Sequence, residues 1–243
     1  MMSDLKPADL AKDAAARAAV ALVEPGMKLG LGTGSTASVF VRRLAERVAA
    51  EGLELRCAAT SKATADLATS LGLKIETLDE LGWLDLTIDG ADEVDPDLNL
   101  IKGGGGAHLR EKIVATASDR MVVIADKMKV VEHLGEFHLP VEVVPFGKEA
   151  TKKLIERVLD GHGLAGRPVK WRNGPEGGPF LTDEGNVILD LYLGRIADPE
   201  KLGRDLSSIA GVVEHGLFLN ICQLAIIGGE DGSVVELERE DIG

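Results

Sequence analysis

Through its first half the chain alternates short apolar runs with amphipathic stretches, a rhythm that restricts it to βα units on a parallel sheet. Leu10, Ala14, Ala18 and Leu22 recur at four-residue spacing and predict an opening helix that stops before Pro25-Gly26. The pattern then predicts strand 27–31, helix 35–50, strand 53–59, helix 62–71 and strand 73–76. Strand 84–89, a Gly- and Asp-rich stretch, helix 107–117 and strand 121–125 continue it. Beyond Leu134 the rhythm changes. A β-like run over 137–144, a helix over 148–159, strands around Val169, Phe180 and 187–193, and a helix over 199–209 before Val212-Val213 fit a split-βαβ, ferredoxin-like unit. Segments 224–227 and 233–237 return to the first sheet. The expected fold is α/β: an open, mostly parallel, Rossmann-like sheet from residues 1–132 and 217–243, with 133–216 as an inserted smaller α+β domain.

With 45% hydrophobic and 28% charged residues, a chain of 243 can bury a core without crosslinks. A net charge of -13 argues against a nucleic-acid partner, because such binding neutralises phosphates with Lys and Arg. Small anions need only a few local donors. No apolar run approaches the ~20 residues of a membrane-spanning helix, and 217–227 is interrupted by Asn220 and Gln223. Met1 to Asp13 is charged where a secretory leader is apolar, so a cytoplasmic location is expected. Cys57 and Cys222 form no CxxC pattern and are expected in the core. His133, His138, His162 and His215 have no ligand spacing, and no metal is expected.

Three segments carry chemistry. In Gly30-Leu31-Gly32-Thr33-Gly34-Ser35-Thr36, between a strand and a helix, glycines let backbone approach an anion, while free N–H groups and the hydroxyls of Thr33, Ser35 and Thr36 can donate. A merely structural turn with a capped helix looks similar. A dinucleotide turn demands a carboxylate ending the second strand. That strand ends instead on Ala58-Ala59-Thr60-Ser61, with Lys62 nearby, which favours a phosphate pocket.

The second segment, Asp89-Gly90-Ala91-Asp92-Glu93, follows an apolar strand at the edge where parallel sheets bind ligands, so Asp89 and Asp92 suit hydroxyl binding or acid/base work. A calcium loop fails, since Leu100 and Gly106 occupy its required Gly and Glu positions. The third, Lys102-Gly103-Gly104-Gly105-Gly106 leading to Glu111, joins a costly flexible backbone to a positive charge and a helix-borne carboxylate. It lacks the Gly-Lys-Ser/Thr ending of a Walker A loop.

GTGST, DGADE and KGGGG followed by REK together closely resemble ribose-5-phosphate isomerase of the A type. The resemblance continues through 139–145, 185–190, 211–213 and 216–218, nearly the whole chain. It implies an aldose-ketose isomerase of the non-oxidative pentose phosphate pathway, without a cofactor, assembled as a homodimer or homotetramer. It also implies that Thr33, Gly34, Ser35, Thr36, Asp89, Gly90, Ala91, Asp92, Lys102, Gly103, Gly104, Gly105 and Lys129 bind the phosphorylated sugar. Glu111 would accept the C2 proton, Lys102 would steady the enediolate, and Asp89 or Asp92 would assist ring opening. In Ala125-Asp126-Lys127-Met128-Lys129 the family's spacing selects Lys129 over Lys127, and Lys12 matches a further phosphate contact. Gly106 and His108 depart from the commoner alanine and apolar residue. A packing or surface role is expected for His108. A sugar-phosphate sensor would need a basic DNA-binding module, which this acidic chain lacks, and a dehydrogenase would need the missing second-strand carboxylate.

Overall fold

Helix α1 (Pro7–Ala21) starts on a proline whose fixed φ suits a first turn, and buries Ala11, Ala15, Ala16 and Ala19 on one face. That unbulky face lets it lie close on the central sheet. The computed structural model describes residues 6–239, so the first five residues of the stretch read for a leader and the last four of the chain lie outside it. Next come β1 (Lys28–Leu31), α2 (Ser35–Glu51), β2 (Arg56–Ala59) and α3 (Lys62–Ser70). The expected strand 73–76 shrinks to one parallel bridge between Ile75 and Cys57. Thr77 and Glu80 close a capping box there, which starts α4 (Leu78–Leu81) and draws the chain off the edge.

The chain proceeds through β3 (Leu86–Gly90), β4 (Glu93–Val94), β5 (Leu100–Ile101), α5 (His108–Thr116) and β6 (Met121–Asp126). It then forms β7 (Leu139–Val143), α6 (Lys148–Gly161), β8 (Val169–Trp171), β9 (Val187–Leu191), α7 (Pro199–Ser207) and β10 (Val212–His215). Finally β11 (Leu217–Phe218), β12 (Leu224–Gly228) and β13 (Val234–Glu238) return.

The main sheet runs β13-β12-β6-β3-β1-β2, parallel except for β13. Strands are added on one side of β1 and then on the other, so the topological switch lies between β1 and β3, where the carboxyl ends open a crevice. A second, antiparallel sheet runs β10-β7-β9-β8 and packs with α6 and α7 in split-βαβ order. The strand expected around Phe180 is reduced to the bridges Asn173–Pro179 and Leu181–Val187, because Pro175 and Pro179 offer no N–H and Gly177 has φ 81°. A small sheet, β11-β5-β4, links the two. Cys57 and Cys222 are both buried free thiols, and burial pushes them up to about 12 and about 11 respectively. Among the described residues no helix is long and apolar enough to cross a membrane.

Where α1 crosses β12, a Cβ on Gly228 would lie 1.9 Å from the carbonyl oxygen of Ala11, whereas Gly161, at the end of α6, faces open space. Gly228→Ala should therefore cost about 1–3 kcal/mol through overpacking. Gly161→Ala should be neutral or stabilising by up to about 1 kcal/mol. Urea unfolding of both variants checks the pair, and equal midpoints would refute this account of the α1–β12 contact.

Candidate active site

A cleft of about 980 Å³ opens at the carboxyl ends of β1, β3, β6 and β12. The turn after each of these strands contributes to its lining. After β1, Gly32 is pressed against β3: a Cβ there would stand 2.2 Å from Asp89 Oδ1, so only glycine permits the approach. Helix α2 then starts from Gly34 with no side-chain cap, which leaves its first N–H groups facing the cleft mouth beside Ser35 and Thr36.

The Thr33 hydroxyl is already occupied. It lies 2.7 Å from the hydroxyl of Thr60, 2.8 Å from that of Ser61 and 3.0 Å from that of Thr64. The hydroxyls ending the second strand thus brace the turn from behind instead of extending an anion site. Lys62 also turns away, its N–H donating to Asp183 Oδ2 (2.8 Å) and its ammonium to the Asp183 carbonyl (3.2 Å).

The two aspartates separate in depth. Asp89 is fully buried and absent from the cleft lining, with Oδ1 accepting the N–H groups of Thr33 (3.0 Å) and Gly90 (2.7 Å). Asp92 lines the cleft with Gly90 and Ala91, and its Oδ2 accepts the Gly104 N–H at 2.7 Å.

Lys102 follows β5, and its backbone N–H donates to the Gly216 carbonyl at 2.9 Å. Its buried ammonium donates to the Gly90 carbonyl and lies 3.0 Å from Asp89 Oδ2 and 3.4 Å from Glu111 Oε2. Neither carboxylate oxygen has a well-directed hydrogen bond among the described residues, so the ammonium holds both by charge. Burial works to lower the Lys102 pKa, but Asp89 and Glu111 outweigh it and the group is held above its ordinary value. Burial raises Asp89, against the opposing pull of Lys102 and two backbone N–H groups. Burial pushes Glu111 up to about 8, opposed by Lys102 and reinforced by Asp89 and Asp92. One ammonium cannot balance two dry carboxylates. Glu111, farther from it, is left in reach of titration near neutral pH.

Lys12, Lys127 and Lys129 all line the cleft, so the turn after β6 presents two lysines where the sequence selects one. Lys129 reaches over the Phe137 ring, 5.7 Å from its centre. His108 is buried, with Nε2 3.4 Å from the Glu214 carbonyl oxygen and 4.0 Å from Glu142 Oε2, and burial followed by the Lys112 charge lowers it to about 3. It is a neutral packing residue beneath the glycine loop. Gly106 has φ 82°, and a Cβ there would meet the Phe180 ring at 2.4 Å, which accounts for glycine at this position. The loop after β12, with Gly229, Glu230, Asp231 and Ser233, also lines the cleft and was not anticipated. Its signal was available, because a strand returning to a parallel sheet brings its following turn to the same edge.

The family model for ribose 5-phosphate isomerase A (phosphoriboisomerase A) matches residues 56–232. The chain belongs to this family. A ribose-5-phosphate isomerase A from Cereibacter sphaeroides is 62% identical over 96% of this chain and 89% of its own. One from Jannaschia sp. is 56% identical over 100% and 95%. Among solved structures, ribose 5-phosphate isomerase A from Methanocaldococcus jannaschii superimposes with a TM-score of 0.87 at 39% identity, covering 95% of this chain and 98% of that one. A D-ribose-5-phosphate isomerase in complex with phospho-erythronic acid gives 0.88 at 35% identity, with the same coverages.

Because Glu111 is raised from 4.5 to about 8 in the fold, its contribution to stability is fully present below 4.5 and lost as pH climbs through about 8. Glu111→Gln cannot titrate. Its stability relative to the unmodified chain should therefore improve steadily from about pH 5 to about pH 8.5, as read by urea unfolding. A difference that stays flat with pH would contradict the raised carboxyl.

Proposed function

We propose that Glu111 is the single carboxylate base with which this chain interconverts D-ribose 5-phosphate and D-ribulose 5-phosphate through an enediolate. The observation that carries this reading is the dry Glu111–Lys102–Asp89 group at the back of a cleft whose rim offers a free helix N-terminus and lysines. The rim suits the phosphate: α2 supplies N–H donors, and Lys12 and Lys129 supply charge. Gly34, Ser35 and Thr36 would hold it, while Gly103, Gly104 and Gly105 wrap the sugar.

With the carbonyl end at Lys102, Glu111 takes the proton from C2 and the electron pair moves onto O1. The ammonium and nearby N–H groups stabilise that charge. The same carboxyl returns the proton to C1 as the O2 proton passes to O1. Carbon and oxygen protons are conserved and no electron leaves the sugar. Asp92, on the cleft surface, is placed for the ring-opening proton transfer. Asp89, sealed behind it, serves to hold Lys102 and the Thr33 turn.

We read residues 133–216 as the smaller domain, and the protein as a cytoplasmic homodimer or homotetramer acting on a small phosphorylated sugar.

Incubation with ribose 5-phosphate, following ribulose 5-phosphate, tests the reading. Glu111→Gln should lose about 10²–10⁴-fold in kcat with little change in KM. For the unmodified enzyme, kcat/KM should climb with pH on a limb that levels near about 8, because only the ionised carboxylate can accept a proton. Normal turnover by folded Glu111→Gln would remove it as the base, and a limb near 4.5 would remove the buried-carboxyl account.

A further inference from the structure

The glycine loop is gripped from behind by the second sheet. Arg172, just after β8, is largely buried, and its Nη1 donates to the carbonyls of both Gly103 (2.9 Å) and Gly104 (3.0 Å). The same guanidinium is locked in a fork on Asp190, with Nε to Oδ2 at 3.0 Å and Nη2 to Oδ1 at 2.6 Å. Asp190 lies on β9, and β8 pairs with β9, so the fork is set by strand register. Nothing in the proton-transfer steps uses this pair. A buried guanidinium that spends its donors on two consecutive backbone carbonyls controls peptide orientation.

In a planar trans peptide, C=O and N–H point in opposite directions. Turning the Gly103 and Gly104 carbonyls toward Arg172 therefore turns the following N–H groups, those of Gly104 and Gly105, toward the cleft. The first of these is seen to do so: the Gly104 N–H reaches Asp92 Oδ2 at 2.7 Å. The second, on Gly105, has no hydrogen-bond partner among the described residues, and Gly105 lines the cleft. Phe180, from the segment that pairs with Arg172 through its backbone, blocks the loop from retreating at Gly106.

We propose that Arg172 is a positioning residue, which fixes the Gly103 and Gly104 carbonyls and so aims the Gly105 N–H at the oxygen that becomes negative in the enediolate. The inference rests on the isomerase reading given above and deepens it. Arg172 touches no substrate; it acts through the loop. Lysine cannot replace it, since a single ammonium does not span a carboxylate and two carbonyls in one plane.

The test uses Arg172→Gln and Arg172→Lys in the full chain, with urea unfolding to verify folding. The lysine variant keeps a charge beside Asp190 and so remains informative if the glutamine variant is unstable. Each folded variant should lose about 10–100-fold in kcat while KM stays within about threefold, because a misaimed donor is felt most when charge develops. Affinity for phospho-erythronic acid, whose carboxylate bears charge where the enediolate does, should fall in step with kcat. Affinity for ribitol 5-phosphate, neutral at that end, should stay within about threefold. Wild-type kcat in Arg172→Lys, or equal loss of affinity for both ligands, would overturn the proposal. An unmodified enzyme that fails to isomerise ribose 5-phosphate would instead overturn the reading beneath it.

Discussion

A lysine ammonium sealed inside the protein can exist only with its charge compensated, and Lys102 is compensated by Asp89 and Glu111. This requirement organises the surrounding backbone. Asp89 must lie at the carboxyl end of β3, next to its last residue, where it also gathers the N–H groups of Thr33 and Gly90. Gly32 must lack a side chain to let β1 meet it. Glu111 must lie in the first turn of α5, and Gly216 must be bare so that the strand carrying Lys102 can close against β11. Glycines, strand ends and a helix start are thus fitted around one buried positive charge. Because two carboxylates share it, one of them is left only half satisfied. The imbalance that weakens the fold as pH rises from about 5 to about 8 is the same one that leaves this carboxyl able to exchange a proton near neutral pH.

Much of this arrangement is legible in the amino-acid order, and the reason is periodicity. The parallel sheet follows from apolar runs that recur between helical stretches, and the ligand edge follows from the sheet's topology. Hence Gly34 to Thr36, Gly90 to Asp92, Gly103 to Gly105 and Glu111 do meet in one cleft. The sequence does not convey depth. Asp89 and Asp92 look equivalent in DGADE, yet one faces inward and the other faces the cleft, because successive residues past the strand end leave the sheet's alternation. The hydroxyls of Thr60 and Ser61 look like anion ligands until the fold shows them spent on Thr33.

The second sheet supplies support that no local pattern announces. Arg172 lies some seventy positions from the glycines it grips, in a stretch with few periodic apolar residues. Asp183 and Glu184 similarly hold Arg110, the neighbour of Glu111, from the turn before β9. Such long-range polar contacts arise from topology and leave no spacing signal in the chain. Irregular segments also depart from the period-2 pattern: the strand expected around Phe180 shrinks to bridges because 173–179, leading into it, is dominated by Pro and Gly.

The contact between α1 and β12 has a consequence for biosynthesis. Ala11 and Gly228 touch, although almost the whole chain lies between them. At a ribosomal rate of about 5–20 residues per second, the alanine face of the first helix waits on the order of ten to forty seconds for the strand that will cover it. During that interval α1 can settle on α2 and β6, its earlier native neighbours, while the part of its face that β12 covers stays open to chaperones. Lys12, on the same helix, reaches its place at the cleft only after translation is nearly finished.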